Sequence, residues 1–205
     1  GIFNREAADV QVARNGRRET GHMWGTNPCS EIILRPYQFC NLSEVVVRES
    51  DTLQSLKRKV RLATILGTLQ STLTEFKYLR KIWRDNTEEE RLLGVSLTGI
   101  MDHSILSKTV DSPRWLEEMK QVAVDTNLQF AQMLGIPQSA AITCVKPSGT
   151  VSQLVDAASG IHARHNDYYI RTVRGDNKDP LTQFLKEQGV YSEACVMKPD
   201  STTVF

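Results

Sequence analysis

The stretch "SEVVVRESDTLQSLKRKV", residues 43–60, decides the fold class because a strand pattern passes directly into a helix pattern. Three consecutive valines at 45–47 predict a strand, since β-branched residues favour extended backbone. Asp51 or Thr52 can then cap a helix that covers residues 53 to about 83. Apolar residues recur in it at intervals of three or four, which indicates one buried face: Leu56, Val60, Ala63, Leu66, Leu69, Leu73 and Phe76.

The rest of the chain continues this alternation of strands and helices. Residues 112–134 predict a second long helix, with Pro113 in its first turn and Gly135 as its stop. Residues 140–157 predict a strand, a turn and a helix, whereas 91–106 fit either a buried strand or a helix. This order predicts an α/β fold with a largely parallel sheet, in one compact domain fragment. Four further elements are expected: a helix start at Thr87, a strand at 168–174, a short helix at 179–189 and strand-like backbone from 190 onward.

Charge and composition exclude several classes of function. The 205 residues include 25 basic and 24 acidic ones, so the chain lacks the basic footprint of a nucleic-acid-binding protein. The basic cluster of Arg14, Arg17 and Arg18 is interpreted as a solvated face. No membrane span and no secretory signal are expected, and four cysteines are too few for a disulfide scaffold, so we expect a reducing, cytoplasmic setting. Because the sequence opens mid-pattern without Met, we expect a piece of a longer protein.

The segment "GTNPCSEI", residues 25–32, combines an amide, a thiol and a carboxylate at alternate positions. If the segment is extended, Asn27, Cys29 and Glu31 project to one face and form a row suited to chemistry. Pro28 restricts the backbone and favours an extended Asn27 before it. The alternative is a turn that carries an inert cysteine, because Asn-Pro stretches are usually turns and most cysteines only pack.

The segment "KPSGTVS", residues 146–152, lies between a predicted buried strand and a predicted helix. Pro147 and Gly149 shape a tight turn, while Ser148, Thr150 and Ser152 supply hydroxyl groups. Together with the free backbone N–H groups of a helix start, these residues can hold a phosphate. The segment matches neither the Walker pattern nor GxGxxG, and an ordinary strand-to-helix turn capped by Ser or Thr is the alternative.

The other cysteines and the histidines give no metal signature. Cys29 and Cys40 are eleven residues apart, which is not a zinc spacing. No histidine lies near enough in sequence to support a cysteine hydrolase, and no metal site is expected. Cys144 lies in an apolar strand and is predicted to be a core residue, and Cys195 is predicted to be similar or exposed.

In combination, these motifs resemble the ribonucleotide reductases. Asn27-x-Cys29-x-Glu31, followed by "CNL" from Cys40, is similar to their finger-loop region, and "KPSGTVSQLV" is similar to their substrate-phosphate loop. The spacing of eleven, with "SGIHARH" and "YYIRTVR", most resembles the adenosylcobalamin-dependent (class II) enzymes, in particular the ribonucleoside-triphosphate reductases. The resemblance implies the second half of a ten-stranded α/β barrel. It places a central finger loop at about 25–42 and a phosphate loop at about 146–152.

The resemblance also implies a role for each motif residue. Cys29 would be the thiyl radical that removes the 3′ hydrogen of the ribose, and Glu31 would accept the 3′-hydroxyl proton. Asn27 would hydrogen-bond the reacting sugar, and Cys40 would be one half of the reducing dithiol. The substrate phosphates would be held by the loop residues Pro147, Ser148, Gly149, Thr150, Val151 and Ser152.

The implied cofactor is adenosylcobalamin, and the implied reaction converts ribonucleoside di- or triphosphates to 2′-deoxyribonucleotides. The implied partners of the full-length enzyme are the ribonucleotide substrate, a deoxynucleotide or ATP effector and a thioredoxin-like reductant. The cysteine that pairs with Cys40 would lie upstream, so this chain should not turn over alone. Three alternatives stay open: a class I catalytic subunit with a radical-generating partner protein, a non-catalytic nucleotide-binding fragment, and a cysteine hydrolase.

Overall fold

The computed structural model describes residues 3–14, 16–107 and 110–205. The chain divides into two compact units, Gly1–Arg164 and His165–Phe205. In chain order, the first unit contains α1 (Arg5–Ala13), β1 (Gly25–Thr26), β2 (Ile33–Leu34), β3 (Asn41–Val46), α2 (Leu53–Gln70), α3 (Lys81–Glu90), β4 (Leu93–Thr98), α4 (Ser112–Leu134) and α5 (Thr150–Leu154). The second contains β5 (Arg174–Asp176), α6 (Pro180–Glu187), β6 (Glu193–Ala194) and β7 (Thr202–Val204).

The centre of the first unit is a parallel pair of strands. β3 and β4 pair from Asn41 opposite Leu93 to Val46 opposite Thr98, and Thr143 forms a parallel bridge with Val95 on the other side of β4. The chain passes from β3 to β4 through α2 and α3, which is the connection expected of an α/β unit. The predicted α/β class is therefore confirmed as a mixture of helices and strands, and the strand predicted at 45–47 is the end of β3, which stops at Val46. The predicted largely parallel sheet is limited to this strand pair and the Thr143 bridge in the described residues.

The two long helices cover one face of this strand pair. Val45 and Val47 pack in one buried core with Leu56 and Val60 of α2 and with Met119 of α4. Because side chains alternate along a strand, Leu42 and Glu44 project to the opposite face of β3. Each face of the strand pair therefore has different neighbours.

The first long helix is shorter than the sequence predicts. Thr52 and Ser55 form a capping box at its start, but α2 ends at Gln70 and α3 begins only at Lys81. After Gln70, the Ser71 and Thr72 hydroxyls donate to the carbonyls of Thr68 and Leu69, so these side chains compete with the helical backbone. The predicted apolar face of this helix included Leu73 and Phe76, but both residues lie outside α2. Thr87 lies inside α3, so the predicted helix start there is wrong.

The second long helix agrees with the prediction. α4 has Pro113 in its first turn and ends at Gly135, whose φ of 66° is the left-handed conformation that glycine adopts without strain. Residues 93–98 form a strand, which settles the ambiguity at 91–106. Residues 140–144 contribute a single bridge, and α5 has only five residues, so this predicted strand and helix are both shorter than expected.

The second unit is a small antiparallel sheet with one helix. Its strand order is β5-β7-β6, and α6 begins at Pro180, capped by the Asp179 carboxylate, which accepts from Leu181 N at 2.9 Å. The predicted short helix is thus confirmed. The strand predicted at 168–174 begins only at Arg174, preceded by a pair of backbone hydrogen bonds between Val173 and Phe205. No helix among the described residues is long and apolar enough to cross a membrane.

Candidate functional site

The segment 25–32 is a hairpin with a tight turn. β1 and β2 pair antiparallel over two residues each, and Ser30 N donates to Asn27 O at 3.0 Å to close the turn. Ser30 has a φ of 63°, so the backbone is not extended here. The predicted extended row of three side chains is therefore wrong, and the turn is the conformation adopted. Pro28 occupies the first central position of that turn, where its fixed φ is favourable.

The hairpin separates its three candidate side chains. Asn27 Oδ1 accepts from Ile32 N at 3.1 Å, so the amide group helps to close the hairpin. Cys29 lies exposed at the tip with a free thiol. Glu31 is half-buried, and its Oε2 atom has no hydrogen-bond partner among the described residues. The exposed thiol can be reached from outside this chain, whereas the unpaired Glu31 oxygen is buried.

Two further cysteines lie below the hairpin, on the face of β3 and β4 away from α2 and α4. They belong to a group that we call the hairpin cluster, with Ile32, Leu92 and Ala140 at its centre and Leu34, Cys40, Leu42, Ala141 and Cys144 packed against them. Gly94 of β4 makes room for this contact: a Cβ atom there would lie 2.5 Å from Leu42 Cδ2 and 3.0 Å from Cys144 Sγ. The hairpin thus packs on the strand face opposite to the helices.

Burial and a nearby carboxylate keep both of these thiols protonated. Burial, followed by the negative charge of Glu31, raises the pKa of Cys40. Burial, then Glu31 and Cys40, raise the pKa of Cys144 to about 12. Cys144 is half-buried in this cluster and Cys195 is 4% exposed, so both predicted packing roles are consistent with the structure.

Glu31 also lines a cleft of about 550 Å³ between α1, the hairpin and α4. Arg17 and Lys120 contribute basic groups to the same cleft. The cleft gives the Glu31 side of the hairpin a route to solvent.

The segment 146–152 is held from within the protein. Ser148 is 2% exposed, and its hydroxyl donates to Glu44 Oε1 at 2.5 Å and accepts from Ser152 N at 3.1 Å. The Ser152 hydroxyl donates to Ser148 O at 2.8 Å and to Gly149 O at 2.9 Å. Both serine hydroxyls therefore have protein partners. Pro147, Gly149, Thr150 and Val151 are exposed to solvent.

A buried ionic group that the sequence did not reveal fixes the base of the hairpin. Arg18 forms a two-bond ion pair with Glu90, at 2.9 Å for each bond, and donates to Ile33 O of β2 at 2.7 Å and to Gln38 Oε1 at 3.1 Å. Its guanidinium also lies 4.6 Å from the ring centroid of Trp24, just before β1. The predicted solvated face is wrong for Arg18. A single arginine gives no periodic signal that could have shown its burial.

Comparison with known proteins identifies what this arrangement resembles. No family model matches the chain. The adenosylcobalamin-dependent ribonucleoside-triphosphate reductase of Euglena gracilis is 32% identical over 186 residues, which are 88% of this chain and 24% of that protein. The reductase of the same name from Lactobacillus leichmannii is 28% identical over 211 residues, 90% of this chain and 28% of that protein. A crystal structure of a B12-dependent (class II) ribonucleotide reductase superimposes with a TM-score of 0.70 and 26% identity, over 93% of this chain and 29% of that one.

The resemblance to the class II ribonucleotide reductases is confirmed. The chain spans about a quarter of the length of these relatives. Within the reductase-like first unit, the hairpin with Asn27, Cys29 and Glu31 packs directly on the strand face beside Cys40. The segment 146–152 is tied to the same strand pair through Glu44.

Proposed function

We propose that this chain is the part of a class II ribonucleotide reductase that carries the radical cysteine, its general base and the substrate-phosphate loop. The observation that carries the proposal is similarity to class II reductases over about nine-tenths of the chain, in sequence and in structure. The reaction is reduction of ribonucleoside di- or triphosphates to 2′-deoxyribonucleotides.

The proposed architecture is the second half of a ten-stranded α/β barrel. In an α/β barrel, each strand has helices on its outer face and side chains or loops on its inner face. β3 and β4 have α2 and α4 on one face and the hairpin on the other, which supports a finger loop inside such a barrel. The other half of the barrel would then enclose Cys29, which is exposed in this chain, and exclude water from its radical.

The chemistry is assigned to four side chains. Cys29, as a thiyl radical, removes the 3′ hydrogen of the ribose and returns it once the 2′ position is reduced. Glu31 accepts the 3′-hydroxyl proton, and the 2′-hydroxyl leaves as water. Asn27 holds the turn geometry and hydrogen-bonds the sugar. Cys40 and a cysteine outside this chain supply two electrons and two protons as they close to a disulfide, which balances the loss of the 2′-hydroxyl as water.

Adenosylcobalamin, when bound, supplies the radical that oxidises the Cys29 thiol. The exposed position of Cys29 at the turn fits this need, because a radical source must come close to its sulfur atom. The substrate phosphates are assigned to Pro147, Gly149, Thr150 and Val151, with Ser148 and Ser152 setting the shape of the loop. A deoxynucleotide or ATP effector, a thioredoxin-like reductant and a cytoplasmic location complete the proposal.

The test is ribonucleotide reduction by the full-length protein with the substitution Cys29→Ser. We expect reduction that depends on adenosylcobalamin in the parent protein, none in the variant, and unchanged nucleotide binding. Cys195→Ser is the matched control, since that thiol lies in the second unit and has no assigned role. Reduction that needs a radical-generating protein instead of adenosylcobalamin would indicate a class I subunit. Reduction that persists in Cys29→Ser would refute the proposal.

A further inference from the structure

Glu44 makes the one direct side-chain bond in the described residues between β3 and the segment 146–152. Its Oε1 atom accepts from the Ser148 hydroxyl at 2.5 Å, across 104 positions of sequence. Glu44 lies on the strand face opposite to Val45 and Val47, which are buried against the helices. The loop is therefore attached to the strand that begins directly after Cys40.

Ser148 transmits this attachment to the rest of the loop. A serine hydroxyl has one hydrogen to donate, and here that hydrogen goes to Glu44, which leaves the oxygen oriented to accept from Ser152 N. The Ser148 carbonyl in turn accepts from the hydroxyls of Ser152 and Ser159. The backbone at Gly149 and Thr150 is held between these bonds.

The segment that follows the loop is also fixed from the ends of β3 and β4. Arg48 donates to Val155 O at 2.5 Å and to Asp156 O at 2.8 Å, and Asp102 accepts from Ala158 N at 2.7 Å. With both sides held, the exposed backbone from 149 to 151 has little freedom to move. Loss of the Glu44 bond would free the Ser148 end of this exposed backbone.

We propose that Glu44 is a positioning residue that presets the 146–152 loop for the substrate phosphates by fixing the Ser148 hydroxyl. This inference rests on the proposed function. The Glu44 carboxylate accepts from the buried Ser148 hydroxyl and not from the exposed backbone of Gly149 and Thr150. We therefore assign Glu44 a role in loop structure and no direct contact with the phosphates. An amide oxygen at the same place would accept the same bond.

The experiment measures the KM and kcat of the full-length protein, and the Kd for CTP by equilibrium binding. We expect Glu44→Ala to raise KM and Kd about tenfold, the effect of one lost charge-assisted hydrogen bond, with kcat within about twofold. Glu44→Gln should restore most of the affinity. Glu49→Ala is the matched control, because Glu49 is an exposed glutamate just beyond the same strand and should have no effect.

Ser148→Ala removes the same bond from the other side and keeps the test valid if Glu44→Ala does not fold. The double variant should bind CTP no more weakly than Ser148→Ala alone, because the two residues act through one bond. Unchanged KM and Kd in Glu44→Ala would overturn the inference, and so would a loss of kcat in Glu44→Gln, which would indicate proton chemistry. If the parent protein reduces no ribonucleotide, the proposed function fails, and the Kd values still decide the role of Glu44.

Discussion

Replacing Arg18 with methionine should destabilise the first unit by about 4 kcal/mol. The side chains of Arg18 and Glu90 are 3% and 7% exposed, and removing one member of a buried ion pair costs about 3–5 kcal/mol. Without Arg18, the Glu90 carboxylate would still accept from Gln38 and would lie 3.8 Å from Nε of Arg35. We therefore take the lower end of that energy range, about 3 kcal/mol. The lost bond to Ile33 O adds about 1 kcal/mol.

The assay is urea unfolding followed by tryptophan fluorescence, because Trp24 lies beside the Arg18 guanidinium. Lys81→Met is the control, since the Lys81–Asp85 pair is 84% and 44% exposed and should be worth about 0.3–0.5 kcal/mol. The double variant Arg18→Met with Glu90→Leu should cost less than the sum of its two parts, because no charge is left buried. A loss below about 1 kcal/mol for Arg18→Met, or strict additivity, would refute the reasoning.

Three further predictions concern the same unit. Gly94→Ala should cost about 1–3 kcal/mol, because its Cβ atom would lie 2.5 Å from Leu42 Cδ2, whereas Gly25→Ala meets no atom within 4 Å and should be nearly neutral in the same urea assay. Burial alone would raise the pKa of Glu90, but the hydrogen bonds from Arg18 and Gln38 outweigh burial and the net pKa lies below 4.5. Its stabilising effect should therefore be present above pH 4.5 and be lost as the pH falls further, which acid titrations of Glu90→Gln and the parent would compare. Iodoacetamide at pH 8 should label exposed Cys29 well before Cys144, whose pKa of about 12 leaves almost no thiolate; equal labelling rates by mass spectrometry would contradict this.

The sequence predicted α4 and α6 best, because the start and stop signals of both helices are local. α4 has a proline in its first turn and a glycine at its end, and both are read directly from neighbouring residues. α6 likewise has its Asp179 cap and Pro180 start in consecutive positions. The strand at 45–47 followed from β-branched residues alone. In each case the tertiary structure reinforced a preference that was already present in a short segment.

The errors had two sources: local side chains that end a helix, and a partner that is distant in sequence. α2 ends where the Ser71 and Thr72 hydroxyls donate to helix carbonyls. Leu73, which the apolar spacing predicts to be buried, is exposed. The burial of Arg18 depends on Glu90, which is 72 positions away. No periodicity in either segment records such a pairing.

The candidate site shows the same division between composition and geometry. Residue types alone group Asn27, Cys29 and Glu31, but alternation places their side chains on one face only if the segment is a strand. A proline after Asn27 and a left-handed Ser30 turn the chain instead, so the thiol and the carboxylate lie in different surroundings. The partners of Ser148 and Ser152 were also inaccessible to sequence reasoning, because Glu44 comes from another strand.

The orientation of the hairpin must come from outside the hairpin. Its two strands pair over only two residues each, and an isolated hairpin of that size has little stability in water. What holds it is the contact of Ile32 with the hairpin cluster on one side and the Arg18 bond to Ile33 O on the other. The position of the Cys29 sulfur therefore depends on contacts made by Ile32 and Ile33, at the base of the hairpin. Under the proposed function, substitutions at Arg18 or Gly94 should lower kcat more than they raise KM, because they displace the radical site while the phosphate loop keeps its own attachment to β3.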